Sequence, residues 1–296
     1  MTLRHLKIFV AVCDEGSVTR AAQTLYMTQP AVSIAIAELE KHYGLHLFDR
    51  LNKRLYLTAD GERLLQYARH ITGLFADMER EVRDLDAAGR LRLGSSITIA
   101  NCLLPGLLTA FTRTRPQLQV AVTVENSALI QQRLARNELD IALSEGPAES
   151  PYLVERPFFE DDLVMLCPVG HPFAGRTVPL AALRDENLIL REKGSASRDF
   201  LDGLLQMEEL RLTPAWQCVS TRAIVKAVQA GFGISILPRL MIRSELARGD
   251  VALFSLEGVS LRRRYRILYH QNKFLTPAME ELIRLCEGAL PEGAAL

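Results

Sequence analysis

The sequence lacks an excess of charge of either sign. It contains 35 Lys and Arg against 35 Asp and Glu, so its formal net charge is zero at pH 7. A neutral total neither indicates nor excludes a nucleic-acid partner, because a large neutral domain can mask a short basic one. The first 58 residues hold seven Lys and Arg against five Asp and Glu, a balance of +2, and three of these bases lie between Arg50 and Arg54. Clustering is therefore more informative than the total.

The sequence also has no long apolar run and no closely spaced cysteines, and its first residues are not expected to form a leader. No stretch approaches the roughly 20 apolar residues of a membrane-spanning helix. The first dozen residues carry charges within their apolar run and lack a small-residue cleavage site. These absences predict a cytoplasmic protein without membrane contact. The five cysteines form no C-x-x-C pair and are expected to be buried apolar residues, a redox-sensing pair being the alternative: Cys13, Cys102, Cys167, Cys218 and Cys286.

Three short helices are predicted at the N-terminus. Apolar residues at helical spacing predict the first over residues 3–13. Ser17 offers an N-cap for a second over 18–25, and Thr28 caps a third, which ends at Gly44. The predicted buried face of the third helix comprises Val32, Ala35, Ile36, Leu39 and Tyr43. Two such helices joined by a short turn are typical of a helix-turn-helix.

A DNA-reading surface is predicted at the start of the third helix. Gln and Ser can hydrogen-bond to base edges, and Ile can contact a thymine methyl group. A basic hairpin over residues 47–58 can reach phosphates or the minor groove. The alternative for both elements is a solvated surface of a small helical core. The predicted DNA-binding residues are Ser17, Thr19, Thr28, Gln29, Pro30, Ser33, Ile34, Arg50, Lys53 and Arg54.

Residues 9–61 resemble the DNA-binding domain of LysR-type transcriptional regulators. The resemblance rests on the motifs A-A-x-x-L-x-x-[ST]-Q-P-A-[VL]-S and L-E-x-x-x-G-x-x-L-F-x-R, both present here. It implies promoter DNA and RNA polymerase as partners and a homodimer or tetramer. The family often has a basic or polar residue where this chain has Ile34. Base reading is therefore expected from Gln29, Ser33 and the wing.

A proline-free helix is predicted over residues 59–86, with a hinge at 87–89. Its apolar residues are spaced 4, 3, 4, 3, 4, 3: Leu64, Ala68, Ile71, Phe75, Met78, Val82 and Leu85. A sustained heptad stripe is typical of a coiled-coil seam. We expect this helix to pair with its copy in a dimer, as the family's linker helix implies; packing on its own domain is the alternative.

Strands alternate with helices in the remaining two hundred residues. This alternation predicts a parallel or mixed sheet with helices on its faces, arranged as two lobes. The expected strands span 91–95, 120–125, 139–144, 163–168, 188–190, 215–219, 234–237 and 265–269, and the expected helices span 101–112, 128–136, 196–205, 221–230 and 277–290. Residues 96–98 are expected to form a loop.

The predicted fold class is α+β overall. An α-rich winged helix-turn-helix domain is expected over 1–58, and a linker helix with its hinge over 59–89. A two-lobed α/β effector domain like that of periplasmic binding proteins is expected over 90–296. The predicted lobes are about 90–162 plus 268–296 for the first and 163–267 for the second, which the resemblance implies is an insert.

A crevice for a small molecule is predicted between the lobes. Ligands of open α/β sheets bind where strands end and helices begin, and three such turns are rich in hydroxyl and amide side chains. Each turn alone could be a simple helix N-cap. The second half also resembles LysR effector domains, closest to the branch that controls sulfur assimilation and carbon fixation. The predicted effector-binding residues are Ser96, Ile97, Thr98, Asn126, Ser127, Glu145, Gly194, Ser195, Arg198 and Thr221.

The expected effector is a small anion, either a carboxylate or a sulfur oxyanion. Helix N-termini and hydroxyl donors favour negative charge. Glu145 follows the third strand and argues the other way, unless it points away or pairs with Arg198; a hydrophobic or cationic effector is the alternative. An enzyme is disfavoured, because no catalytic, phosphate-binding or metal-binding motif is present, and no cofactor is expected. An exported solute-binding protein would leave the first 58 residues without a role.

Overall fold

The structure is a computed structural model that describes residues 1–51, 54–83 and 89–288. The chain divides into two compact units, with the division along the chain after Gly89. The elements of the first unit are α1 (Leu3–Glu15), α2 (Val18–Thr24), α3 (Gln29–Tyr43), β1 (Phe48–Leu51), β2 (Arg54–Leu57) and α4 (Ala59–Arg83).

The predicted helix boundaries of the first unit arise from local capping. Gly16 and Gly44 end α1 and α3 with φ of 58° and 66°, a backbone conformation that glycine adopts without strain. The Ser17 hydroxyl accepts a hydrogen bond from the Arg20 backbone N–H, and the Thr28 hydroxyl accepts one from Ala31. Helix α1 continues two residues beyond the predicted end at residue 13.

One core holds these helices together. Phe9, Val32 and Leu39 are completely buried in it. Tyr43 was predicted on the same face but is 41% exposed. It is the last residue of α3, and its hydroxyl contacts the Met1 sulfur at 2.8 Å, so the buried face ends one turn earlier, at Leu39.

The basic hairpin forms as predicted, with β1 and β2 antiparallel and Phe48 opposite Leu57. Asn52 and Lys53, between the strands, lie outside the described residues, as do the side chains of Arg50 and Arg54.

The apolar stripe of helix α4 is buried near its start and more exposed further along. Near its start, Ala68 is buried in the core of the first unit and Leu64 packs against that core. Further along, Ile71 and Met78 are 45% and 50% exposed. The Val82 side chain, Leu85, the predicted helix end and hinge residues 87–88 lie outside the described residues. The start of the stripe thus packs on its own domain, which was the alternative, whereas Ile71 and Met78 are about half exposed and Phe75 between them is half-buried.

The second unit is mixed α/β, as predicted. Its strands are β3 (Arg90–Ser96), β4 (Gln119–Glu125), β5 (Ile141–Ser144), β6 (Leu153–Cys167), β7 (Thr177–Val178), β8 (Ile189–Leu190), β9 (Trp216–Gln217), β10 (Ser235–Pro238), β11 (Ala252–Leu256) and β12 (Arg262–His270). Its helices are α5 (Ile97–Cys102), α6 (Leu104–Thr114), α7 (Ser127–Ala135), α8 (Ala196–Met207), α9 (Thr221–Gln229), α10 (Arg243–Ala247) and α11 (Pro277–Gly288). Two short 3-10 helices span Leu180–Asp185 and Arg239–Ile242.

The strand order is β4-β3-β5-β12-β6-β11-β7, with β10 also paired to β6. Strands β3, β4 and β5 are parallel, whereas β12 runs antiparallel to β5 and β6. Strand β6 is common to both lobes: its first part pairs with β12, and its last residues pair with β10 and β11. The first lobe contains β3, β4, β5 and β12; β10 and β11 belong to the second.

Strand β12 begins at Arg262, six residues before the expected return to the first lobe at 268. Its first residues pair with β6, and Arg266–Leu268 also pair with β5. Strand β6 likewise begins ten residues before the expected strand at 163. Helix α11 packs in the same core as residues of β3, β5 and β12.

The expected helix over 101–112 is two helices. Helix α5 ends at Cys102 and α6 begins at Leu104, with Leu103 at φ −123° between them. Pro105, in the first turn of α6, has no N–H to continue a preceding helix and its ring clashes with the previous turn. The loop expected over residues 96–98 was also wrong, because Ile97 and Thr98 form the first turn of α5.

Candidate functional site

A narrow cavity of about 10 Å³, room for about one water molecule, lies between the two lobes of the second unit. Pockets for drug-sized ligands measure roughly 300–1,000 Å³, so a ligand larger than water would require the lobes to separate. Seven of the ten predicted effector-binding residues line it, together with two that sequence reasoning missed, Arg191 and Arg263. The seven are Ser96, Ile97, Thr98, Asn126, Ser127, Glu145 and Ser195.

Two hydroxyls at the cavity are not used for helix capping. Ser96 and Ser195 are the N-cap residues of α5 and α8, yet neither side chain makes a capping hydrogen bond. Among the described residues the buried Ser96 hydroxyl has no hydrogen-bond partner, and the Ser195 hydroxyl has one, the Ser197 hydroxyl at 3.2 Å. A buried polar group without a partner costs free energy. Simple capping, the alternative for these two turns, therefore does not explain them.

The Asn126 turn does act as a cap. Its side-chain oxygen accepts a hydrogen bond from the Leu129 backbone N–H at 3.0 Å, which is N-capping geometry at the start of α7. Its amide nitrogen reaches the Lys193 carbonyl, at 3.5 Å, across the cavity. Asn126 therefore orders the turn and also bridges the lobes.

Gly194 lies outside the cavity lining but closes the gap between the lobes. Its carbonyl accepts a hydrogen bond from the Ala128 N–H at 3.1 Å. Its φ is 82°, and a Cβ on this residue would lie only 2.9 Å from the Ala128 methyl group. Both the backbone conformation and the close approach therefore favour glycine.

Arg198 and Thr221 also lie outside the cavity lining. The Arg198 guanidinium pairs with Asp202, one turn along α8, at 2.8 Å, and not with Glu145 or the cavity. The spacing of i and i+4 places the two side chains on one helix face. The buried Thr221 hydroxyl has no hydrogen-bond partner in the part of the chain that the structure describes, while its neighbour Ser220 caps α9.

Glu145 is buried at the cavity, where it contacts two other lining residues. The Ser127 hydroxyl donates to its Oε2 at 2.8 Å, and Arg263 Nη1 lies 3.9 Å from its Oε1. In the structure Glu145 therefore lines the crevice, one of the arrangements considered above, and its cationic neighbour is Arg263 and not Arg198.

Arg263 belongs to a buried network beside the cavity. It donates to Asp161 at 3.0 Å and to the Tyr265 hydroxyl at 3.2 Å, and that hydroxyl donates to Asp161 at 2.6 Å. Burial opposes the charge on Arg263, but Glu145 and the other neighbours raise its pKa, so it stays cationic. Burial also raises the pKa of Tyr265, which therefore remains a donor.

Arg191 is the second buried cation at the cavity. It directly follows β8 and pairs with Glu192 through two hydrogen bonds, at 2.9 and 3.0 Å. Its position at the carboxyl end of a strand is the signal that could have identified it.

The redox alternative for the cysteines is not favoured by their surroundings. Burial raises the pKa of Cys13 and Cys286 to about 12, and that of Cys102 and Cys167 to about 11. Reactive cysteines need a lowered pKa, because the thiolate is the nucleophile. No group of metal-binding side chains and no helix able to cross a membrane occurs in the described ranges.

The predicted base-reading residues cluster at the start of α3. Gln29 and Pro30 are exposed, Ser33 is half-buried and Ile34 is 58% exposed. The Gln29 amide donates to the Ser33 hydroxyl at 3.1 Å, which holds the two together. Of the other predicted residues, Ser17 and Thr28 cap helices and Thr19 is exposed.

Two family models match almost the whole chain. One is described as a bacterial regulatory helix-turn-helix protein of the lysR family and matches residues 3–62. The other, the LysR substrate binding domain, matches residues 86–291. The chain belongs to the LysR family of transcriptional regulators. This regulator therefore carries a helix-turn-helix domain and an effector-binding domain, and its family is one of regulators and not of enzymes.

Named relatives match over most of their length. The regulator is 34% identical to YeiE of Escherichia coli K12, an HTH-type transcriptional regulator, over 98% of both chains. It is 31% identical to the RuBisCO operon transcriptional regulator of Allochromatium vinosum, over 94% of this chain and 93% of that one. The second relative agrees with the resemblance to a carbon-fixation branch.

A solved relative matches the second unit. The regulatory domain of CcmR from Synechocystis PCC6803, in complex with 2-PG, is 30% identical with a TM-score of 0.63. The match covers 68% of this chain and 97% of that domain. The effector-binding fold is thus shared with a ligand-bound regulator.

Proposed function

We propose that this regulator binds promoter DNA through α3 and the wing and responds to a small anion held between its lobes. The observation that carries the effector proposal is the cavity lining. It contains the unpartnered Ser96 hydroxyl and two buried arginines, Arg191 and Arg263, which pair with Glu192 and Asp161. An anion here would accept a hydrogen bond from the hydroxyl and lie close to both guanidinium groups. The relative that binds 2-PG supports a ligand at this domain.

The hydroxyl groups supply the remaining recognition. Ser96 Oγ is an unused donor within the cavity, and Ser195 is available once its contact to Ser197 rearranges. Hydrogen bonds to a charged ligand are stronger than those between neutral groups. Removing such donors is therefore expected to weaken the binding of an anion more than the binding of a neutral ligand.

Calorimetry with small carboxylates and oxyanions tests the effector proposal. We expect Ser96→Ala and Ser195→Ala each to weaken anion binding by about 10-fold, the effect of a lost hydrogen bond to a charged group. Ser255→Ala, an exposed serine of β11, is the matched control and should bind as the unmodified protein does. Binding of only neutral or cationic ligands at this cavity would contradict the proposal.

For DNA, we propose that Gln29, Pro30 and Ser33 lie in the major groove and that Arg50 with Lys53 or Arg54 contacts the backbone or minor groove. The exposed, mutually hydrogen-bonded Gln29 and Ser33 support this assignment. A mobility-shift assay with the promoter next to its own gene separates a regulator from an enzyme or a solute-binding protein.

Arg50→Ala should weaken binding to all DNA sequences and lower the salt slope by about 0.9, equivalent to one phosphate contact. Ser33→Ala should instead change which sequences are preferred. Arg222→Ala, an exposed arginine of α9, controls for loss of one positive charge. Unchanged affinity and salt slope in Arg50→Ala would contradict the wing assignment.

We further propose a cytoplasmic homodimer through α4, assembled into a tetramer through the effector domains, that contacts RNA polymerase. Strand β4 ends the sheet order and exposes Val122 and Val124. An apolar edge strand readily pairs with another chain. Both features support lobe-to-lobe contacts between copies.

A further inference from the structure

A buried carboxylate stands inside a cavity proposed to hold an anion. Glu145 is 6% exposed and lines the cavity with Ser96, Thr98 and Ser127. Its Oε2 is occupied by the Ser127 hydroxyl at 2.8 Å. Its Oε1 makes no hydrogen bond to any described residue, and the nearest cationic atom, Arg263 Nη1, lies 3.9 Å away.

Arg263 is hydrogen-bonded to Asp161 and not to Glu145, although both carboxylates favour its charged form. Asp161 already accepts two of its hydrogen bonds, at 3.0 and 3.3 Å, and the Tyr265 hydroxyl accepts a third. The separation of 3.9 Å from Glu145 is beyond hydrogen-bonding distance. Glu145 thus contributes an acceptor to the cavity that the protein itself leaves unused on one side.

An ionised carboxylate can only accept hydrogen bonds. An anion without a hydrogen-bond donor would place its oxygens against Oε1 and repel it. An anion that carries an O–H or N–H group would donate to Oε1, while its charge faces the arginines and hydroxyls. Sites built to hydrogen-bond a ligand group discriminate strongly against analogues that lack it.

We infer that the effector is a small anion that carries its own hydrogen-bond donor, and that Glu145 is the residue that selects it. This inference rests on the proposed function of the cavity as an anion site. The eligible ligands are protonated oxyanions and small acids with a hydroxyl or ammonium group. Acceptor-only anions of the same size are excluded.

Two pairs of probes separate these classes for the full-length protein. Near neutral pH every phosphate ion carries at least one proton, whereas sulfate, of nearly the same size, carries none. Glycolate has a hydroxyl that acetate lacks. In calorimetry, phosphate should bind about 10- to 100-fold more tightly than sulfate, and glycolate more tightly than acetate, because the weaker ligand leaves a buried acceptor unpaired.

Glu145→Gln tests the assignment to this residue. The glutamine amide can donate to an acceptor-only anion, so the preference for phosphate over sulfate should disappear, mainly through tighter sulfate binding. Glu149→Gln, an exposed residue four positions along the same segment, removes the same charge outside the cavity and should keep the preference. Thermal unfolding of both variants verifies that they fold.

Three other results would contradict the inference, the assignment to Glu145 or the anion proposal. Sulfate bound as tightly as phosphate by the unmodified protein, a measurement that needs no variant, overturns the inference and leaves the anion proposal standing. A preference that survives in folded Glu145→Gln overturns the assignment to Glu145. If none of the four probes binds, the anion proposal fails, and this inference fails with it.

Discussion

Replacing Arg263 with methionine is expected to lower the free energy of unfolding of the second unit by about 3–5 kcal/mol, the usual cost of breaking a buried ion pair. The variant leaves Asp161 buried without its cation, and Glu145 loses its nearest positive charge. The single tryptophan, Trp216, lies in this unit, so its fluorescence follows urea unfolding of that part of the chain.

Arg264→Met is the matched control on the same strand. Arg264 pairs with Glu160 at 2.9 Å, but both side chains are more than half exposed, and exposed pairs contribute about 0–1 kcal/mol. Adding Asp161→Asn and Glu145→Gln to Arg263→Met removes the orphaned charges and should restore much of the lost stability. Equal effects of the Arg263 and Arg264 variants would contradict the buried network.

Local signals explain why the first unit could be predicted from the sequence. Helices α2 and α3 begin at hydroxyl caps, and α1 and α3 end at glycines in the left-handed conformation. Each of these signals lies within a few residues of the boundary that it sets. Tyr43 was misplaced because its exposure depends on where neighbouring helices stop and not on the period of its own helix.

The cavity depends on contacts that are distant in sequence. Arg263 lies beside Asp161 and Glu145 only because β12 pairs with β6 across about one hundred residues. No spacing in the sequence reports that register. The split between α5 and α6, by contrast, follows from Pro105 and could have been anticipated.

The partners of Glu145 also could not be predicted from the sequence. On a helix, an arginine can pair with a carboxylate four residues further along. Asp202 is four residues after Arg198, and the two side chains do pair. The pairing of Arg198 with Asp202 left Glu145 to Ser127 and Arg263, which only the three-dimensional arrangement reveals.

Aspartate in place of Ile71 or Met78 is expected to abolish the proposed dimer. Both residues are about half exposed on the apolar stripe of α4, which the described part of the chain leaves uncovered at these positions. In a paired seam, two aspartates would be buried without a counter-ion, at a cost of several kcal/mol for each charge. Light scattering should show the mass halve, and affinity for promoter DNA should fall because only one half-site is held.

Arg63→Asp separates this effect from a general change of charge. Arg63 lies on the same helix, its side chain is 71% exposed and it pairs with Asp60, so its substitution changes the helix charge by two units instead of one. The dimer should survive in Arg63→Asp although the charge change is larger, because no aspartate enters the apolar stripe. An unchanged mass in both Ile71→Asp and Met78→Asp would contradict pairing through α4 and would favour the alternative, that the stripe packs only within its own chain.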